Sequence, residues 1–170
     1  VRPDEPKARL EQASLLSELL AMPNLLAASF ETLSALEAAA PGPDGAFSPV
    51  EHCWHLADLE REGYAVRIRR LREETNPWLP DFNGDEIARE RNYRSLSLVD
   101  GLAAFRGARL HNVATLRALD AGDWMRRGEQ EGVGAIALCD IPAMMAEHDA
   151  AHRREIQEWQ RVRRARQTDR

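Results

Sequence analysis

The last thirty residues constrain the fold most. At about 100° per residue, Ile141, Met144, Met145, His148, His152, Ile156, Trp159 and Val162 all fall on one side of a helix. Glu147, Arg153, Arg154, Gln157 and Gln160 fall on the other. A stripe of that length needs other helices to cover it. The rest of the chain offers them, being rich in Ala, Leu, Glu and Arg and poor in Val, Ile and Thr.

Proline and glycine divide the chain into four long helical stretches. The first is expected from Pro6 to Met22, stopping at Pro23 and resuming from Asn24 toward Ala40. Pro41-Gly42-Pro43-Asp44-Gly45 closes it. Ser48-Pro49-Val50-Glu51 opens the second, with a capping box and a proline at the first helical position, and it runs to about Glu74. Residues 75–96 read as a long connection with a short helix near Asp85–Arg94. Ser97-Leu98-Val99-Asp100 is read as a second capping box, opening a helix to about Leu119. Residues 120–140 read as a loop with a helical turn around Trp124, and Asp140 as the cap of a last helix reaching about Arg166. The expectation is all-α: a four-helix bundle with long crossover connections, in a single domain spanning 1–170.

Composition narrows the function. A net charge of −5 gives no support to nucleic-acid binding, and the arginines at 161, 163, 164, 166 and 170 read as cations favoured at a helix C-terminus. No apolar run is read as approaching the roughly 20 residues of a membrane span, so no membrane partner is expected. The polar start Val1-Arg2-Pro3-Asp4-Glu5 has no apolar h-region, and the expected location is the cytoplasm. Cys53 and Cys139 lie far apart without CxxC spacing and read as reduced thiols, Cys53 as a small core residue.

The chemistry centres on His148 and His152, one helical turn apart within the apolar stripe. Buried imidazoles need partners, and one cation can serve two such rings. The alternative is a pair of core histidines hydrogen-bonded to backbone or carboxylate. A third ligand would come from another helix, where His52, His55, His111, Asp58 and Glu62 are the candidates; His111 looks like a surface residue. Spacing alone leaves His52 and His55 open.

The segment Val50-Glu51-His52-Cys53-Trp54-His55-Leu56-Ala57-Asp58, followed far downstream by Glu147-His148-Asp149-Ala150-Ala151-His152, resembles the DinB/YfiT-like family of metalloenzymes. The resemblance implies a four-helix bundle with one metal-binding histidine on the second helix and an HxxxH pair on the last. Placed on this chain, it implies the ligand set His55, His148 and His152. His52 falls outside that pattern and is expected to be a neighbour or partly exposed.

Three neutral histidines leave a coordination position open, as in catalytic zinc sites, where the metal can bring the pKa of water to about 7. Zinc is the leading expectation, with nickel or iron as alternatives. Glu155, Asp58 and Glu62 are candidates to orient the ligand rings. The resemblance further implies transfer of a low-molecular-weight thiol, such as mycothiol or bacillithiol, to a small electrophilic molecule. A metal-dependent hydrolase, or a non-catalytic, stress-associated metal-binding module, is the alternative. A homodimer is the implied assembly.

Overall fold

The computed structural model describes residues 6–168. Val1–Glu5 and Arg170, which entered the expectations above, lie outside the described residues. The first stretch divides into α1 (Pro6–Leu19), α2 (Ala21–Phe30) and α3 (Ala35–Ala39). The break falls at Leu20, ahead of Pro23. Pro23 instead occupies the first turn of α2, where a missing N–H costs little. α2 ends at Phe30 rather than running on, and Ser34 with Glu37 forms a capping box that starts α3.

The second stretch is one long helix in three parts: α4 (Pro49–Asp58), a π-helical turn (Leu59–Tyr64) and α5 (Ala65–Glu73). Its expected capping box is present, with Ser48 N–H donating to Glu51 at 2.8 Å. In the connection, the expected short helix is present as α6 (Gly84–Glu90), shorter than expected and followed by a 3₁₀ turn (Tyr93–Ser95). Ser97 caps α7 (Leu98–Arg117) through the Asp100 N–H.

Residues 120–140 hold more than a loop. After α8 (Ala121–Trp124), strands β2 (Arg127–Gln130) and β3 (Gly134–Ala137) form an antiparallel hairpin, and β1 (Trp78–Leu79) adds to it in parallel. Gly132 and Gly134, at φ 74° and 98°, make the reversal that a side chain would strain. Leu79 and Ile136 turn inward, so this small sheet covers one end of the helical core. Asp140 does not cap the last helix; its carboxylate accepts the Ala137 N–H, leaving α9 to run from Ile141 to Thr168.

α4 packs chiefly on α7, α7 on α1, and α1 on α9, so α4 and α9 face each other across the remaining side of the bundle. Leu10–Phe30 is a stretch long and apolar enough to cross a membrane by length and hydropathy, contrary to the expectation that no run came near that length. Its Leu16, Leu19, Met22, Leu26 and Phe30 are buried in the core, as bundle helices require.

The core has two apolar parts separated by polar side chains. One contains Leu16, Tyr64, Val113 and Met145; the other contains Leu26, Leu56, Phe105 and Ile156. Between them on the same helices lie Glu60, Arg109, Asn112 and Asp149, all buried. Arg109 donates from Nη1 and Nη2 to Asp149 at 2.7 and 2.9 Å, from Nε to Glu60 at 2.7 Å, and from Nη1 to the Leu19 carbonyl at 2.9 Å. Asn112 donates to Glu60 as well. Burial opposes the charge on Arg109, but Asp149 and Glu60 hold its pKa above the ordinary value.

Candidate metal centre

α4 and α9 bring four histidines to one place. His55, on α4, has its Nε2 3.4 Å from the Nε2 of His148 on α9. His152, one turn further along α9, has its ring centroid 5.0 Å from that of His55 and 4.6 Å from that of His148. Donor atoms of His55, His148 and His152 all lie within 4.8 Å of one another. The three residues that the resemblance selected are therefore brought together.

Of the two expectations for His52, the structure shows the neighbour and not the partly exposed residue: it is 2% exposed, and its Nδ1 lies 2.8 Å from the Nδ1 of His152. The reason is the geometry of α4. Residues three apart on a helix share a face, so the side of α4 that presents His55 to α9 presents His52 too. The apolar period placed neither ring cleanly, because nearly every residue of α4 is buried. Glu155, expected to orient a ligand ring, stands 3.7 Å from the Nε2 of His52 instead.

Asp58 and Glu62 do not orient the histidines. Arg91 binds both, at 2.5 Å to Asp58 and 2.8 Å to Glu62, and the Tyr93 hydroxyl donates to Asp58 at 2.5 Å. Those contacts pin the connection after α5 onto α4, with Phe82 and Gly84 against the His55 ring. The Phe82 and His55 centroids are 6.1 Å apart. A Cβ added at Gly84 would come within 2.6 Å of His55 Nδ1, so a side chain there would displace the ring. His111 is exposed, as expected. Cys53 packs in the core, where burial pushes its thiol pKa up and removes it as a nucleophile.

Electrostatics keeps the rings neutral. Burial, then the fields of His148 and His52, lower the His55 pKa to about 3. Burial lowers His52 to about 4. His148 and His152 also shift down, first through burial and, for His152, through the neighbouring rings. Neutral imidazole is the form that ligates a metal.

One pair of the donor set already has the separation that a metal ion would impose. Two nitrogens bound tetrahedrally to zinc at 2.0–2.1 Å stand about 3.3–3.4 Å apart. His55 and His148 have that separation, 3.4 Å. The cluster is also short of hydrogen-bond partners, since His55 Nδ1 is buried and nothing among the described residues pairs with it. His55, His148 and His152 line a cavity of about 460 Å³ whose walls include Phe47, Phe82, Asp81, Asp85 and Glu155, with no lysine or arginine in its lining among the described residues. The larger cavity, about 660 Å³, lies elsewhere, between α1, α7 and α9, and includes none of the histidines.

A helical bundle with histidines from two facing helices converging beside a cavity has the architecture of a DinB-type protein. The sequence model of the DinB superfamily matches residues 18–156, and the chain belongs to that superfamily. Among solved structures it is similar to YfiT from Bacillus subtilis, described as a probable metal-dependent hydrolase with an unusual four-helix bundle topology. The TM-score is 0.80 over 89% of this chain and 86% of that one, at 19% sequence identity. That likeness bears out the four-helix-bundle fold. No curated protein matches the sequence at a significant level.

Proposed function

We propose that this protein is a metal-dependent enzyme, with His55, His148 and His152 holding one divalent ion, zinc before nickel or iron, and that it hydrolyses a small neutral or cationic substrate. The observation that carries the reading is the convergence of three neutral imidazoles, one of them with a buried nitrogen unpaired among the described residues, beside an open cavity. When bound there, the ion supplies Lewis acidity, lowering the pKa of water and polarising a substrate oxygen. The chain supplies the rest. Phe47 stands 5.2 Å from the His55 ring and Phe82 stands beside it, limiting water around the rings. Burial, then the field of Asp85, raises the pKa of Glu155, which suits it to take up a proton on the cavity wall.

The carboxylates of Asp81, Asp85 and Glu155 set substrate preference. Asp81 (which stands 3.9 Å from Arg67), Asp85 and Glu155 offset the charge of a bound divalent ion, so the lining offers an anionic guest little net attraction. Transfer of a thiol such as mycothiol or bacillithiol would use the same histidines. Hydrolysis is preferred because Glu155 offers a proton acceptor on the cavity wall and because the similar YfiT is described as a probable metal-dependent hydrolase. The homodimer is a separate proposal, checked by light scattering, with a mass of two chains expected.

The experiment is chelation and reconstitution, read against matched neutral, cationic and anionic ester and amide substrates. Hydrolysis that is lost with chelator, returns with one metal and favours the neutral or cationic member supports the proposal. Metal uptake without turnover of any member would support a non-catalytic module instead.

A further inference from the structure

The contact between His52 and His152 carries information about protons. A neutral imidazole has one N–H and one bare nitrogen. Two Nδ1 atoms 2.8 Å apart therefore require one ring to donate and the other to accept. Glu155 biases the choice. Its carboxylate stands 3.7 Å from His52 Nε2, beyond a direct hydrogen bond, and its charge favours a proton on that nitrogen, leaving His52 Nδ1 bare. His152 must then donate from Nδ1, which leaves its own Nε2 bare. Only a bare ring nitrogen can bind a metal. The opposite arrangement would put a proton on His152 Nε2 and block it.

We propose that His52 is a positioning residue that fixes His152 in the Nδ1–H tautomer and presents its Nε2 toward His55 and His148, with Glu155 biasing the direction. This rests on the metal-centre reading above. Ligand histidines are commonly oriented by a carboxylate or a backbone carbonyl. Here a second imidazole makes the direct contact with the ligand ring, and the carboxylate of Glu155 stands within 4.8 Å of both. Aromatic walls hold the relaying ring in place. Phe30 stacks on His52 at 6.3 Å, Phe47 meets it edge-on at 5.7 Å, and the His152 ring lies at 84° to it.

The test has two arms. Long-range ¹H–¹⁵N spectra of the metal-free protein at neutral pH read the tautomer of His152 directly. The Nδ1–H form is expected in the wild type, and a shift toward Nε2–H in His52→Phe, which keeps a ring among Phe30 and Phe47 but removes the acceptor. Competition with a chromophoric chelator reads zinc affinity. His52→Phe is expected to lose roughly 10–100-fold, the range seen when an orienting partner is removed. Glu155→Gln keeps a carbonyl for His52 Nε2–H and should lose less. A wild-type His152 protonated on Nε2, or unchanged zinc affinity in His52→Phe, overturns the proposal. So does a His52→Phe variant that takes up no zinc while His55→Ala still binds it, because His52 would then be a ligand. A wild type with the expected tautomer but no zinc uptake would bring down the metal reading and leave the tautomer assignment standing.

Discussion

Two buried polar clusters sit side by side on α9 and are built on opposite lines. Around Asp149, every side chain has found a partner: the Arg109 guanidinium is shared among Asp149, Glu60 and the Leu19 carbonyl, and Asn112 completes Glu60. Around His148, the neighbour in sequence, His55 and His148 face one another across 3.4 Å and His55 Nδ1 finds no partner among the described residues. The first cluster is saturated, closed between two apolar cores and far from any need for a ligand. The second is short of partners and lines a cavity. Burial of polar groups alone does not mark function; burial with bonding capacity left over does. The saturated layer has its own use, because matching charges from three helices fix the rotation of α9 and hence the aim of His148 and His152.

The comparison breaks most readily at Arg109. Arg109→Ala leaves Glu60 and Asp149 buried without their cation, and should lower unfolding free energy by about 3–5 kcal/mol, read by chemical denaturation. A loss below 1 kcal/mol would mean the layer is not the saturated structural element described. Next in size is a pH effect confined to the histidines. Their folded pKa values lie below the ordinary 6.5, so the unfolded chain binds more protons as pH falls. Stability of the metal-free protein should be full above pH 6.5 and decline as pH drops toward about 3, where His55 titrates. A denaturation midpoint unchanged between pH 7 and pH 5 would contradict the buried, neutral rings. The smallest effect on folding should come from Gly84→Ala, whose new methyl meets the His55 ring. Zinc affinity should fall by roughly 10–100-fold, as for other disturbances next to a ligand, while the denaturation midpoint of the metal-free protein moves little. Equal affinity in the two proteins would show that His55 can move aside freely.

Much of this was readable in the sequence, for definite reasons. The Ser48 and Ser97 caps and the α9 stripe are local signals, and the helices they announce are present. The pair His148 and His152 was visible as polar residues interrupting an apolar period. The residues that escaped are those whose meaning depends on distant partners. Arg109 carries no local signal of burial, because Glu60 and Asp149 are brought to it from two other helices. His52 could not be separated from His55, because α4 is buried almost all round and leaves no polar face to set the phase. The hairpin at 127–137 was masked by short strands of mixed composition, although Gly132 and Gly134 bracketing a single residue are a turn signal that could have been weighed.

The central claim is tested most directly by elemental analysis of the purified wild type beside His55→Ala, His148→Ala and His152→Ala, with helicity checked in each. About one divalent ion per chain is expected in the wild type, with loss of stoichiometric metal in each variant while most helicity remains. Wild-type metal content in any of the three folded variants, or a wild type that takes up no divalent metal at all, would contradict it.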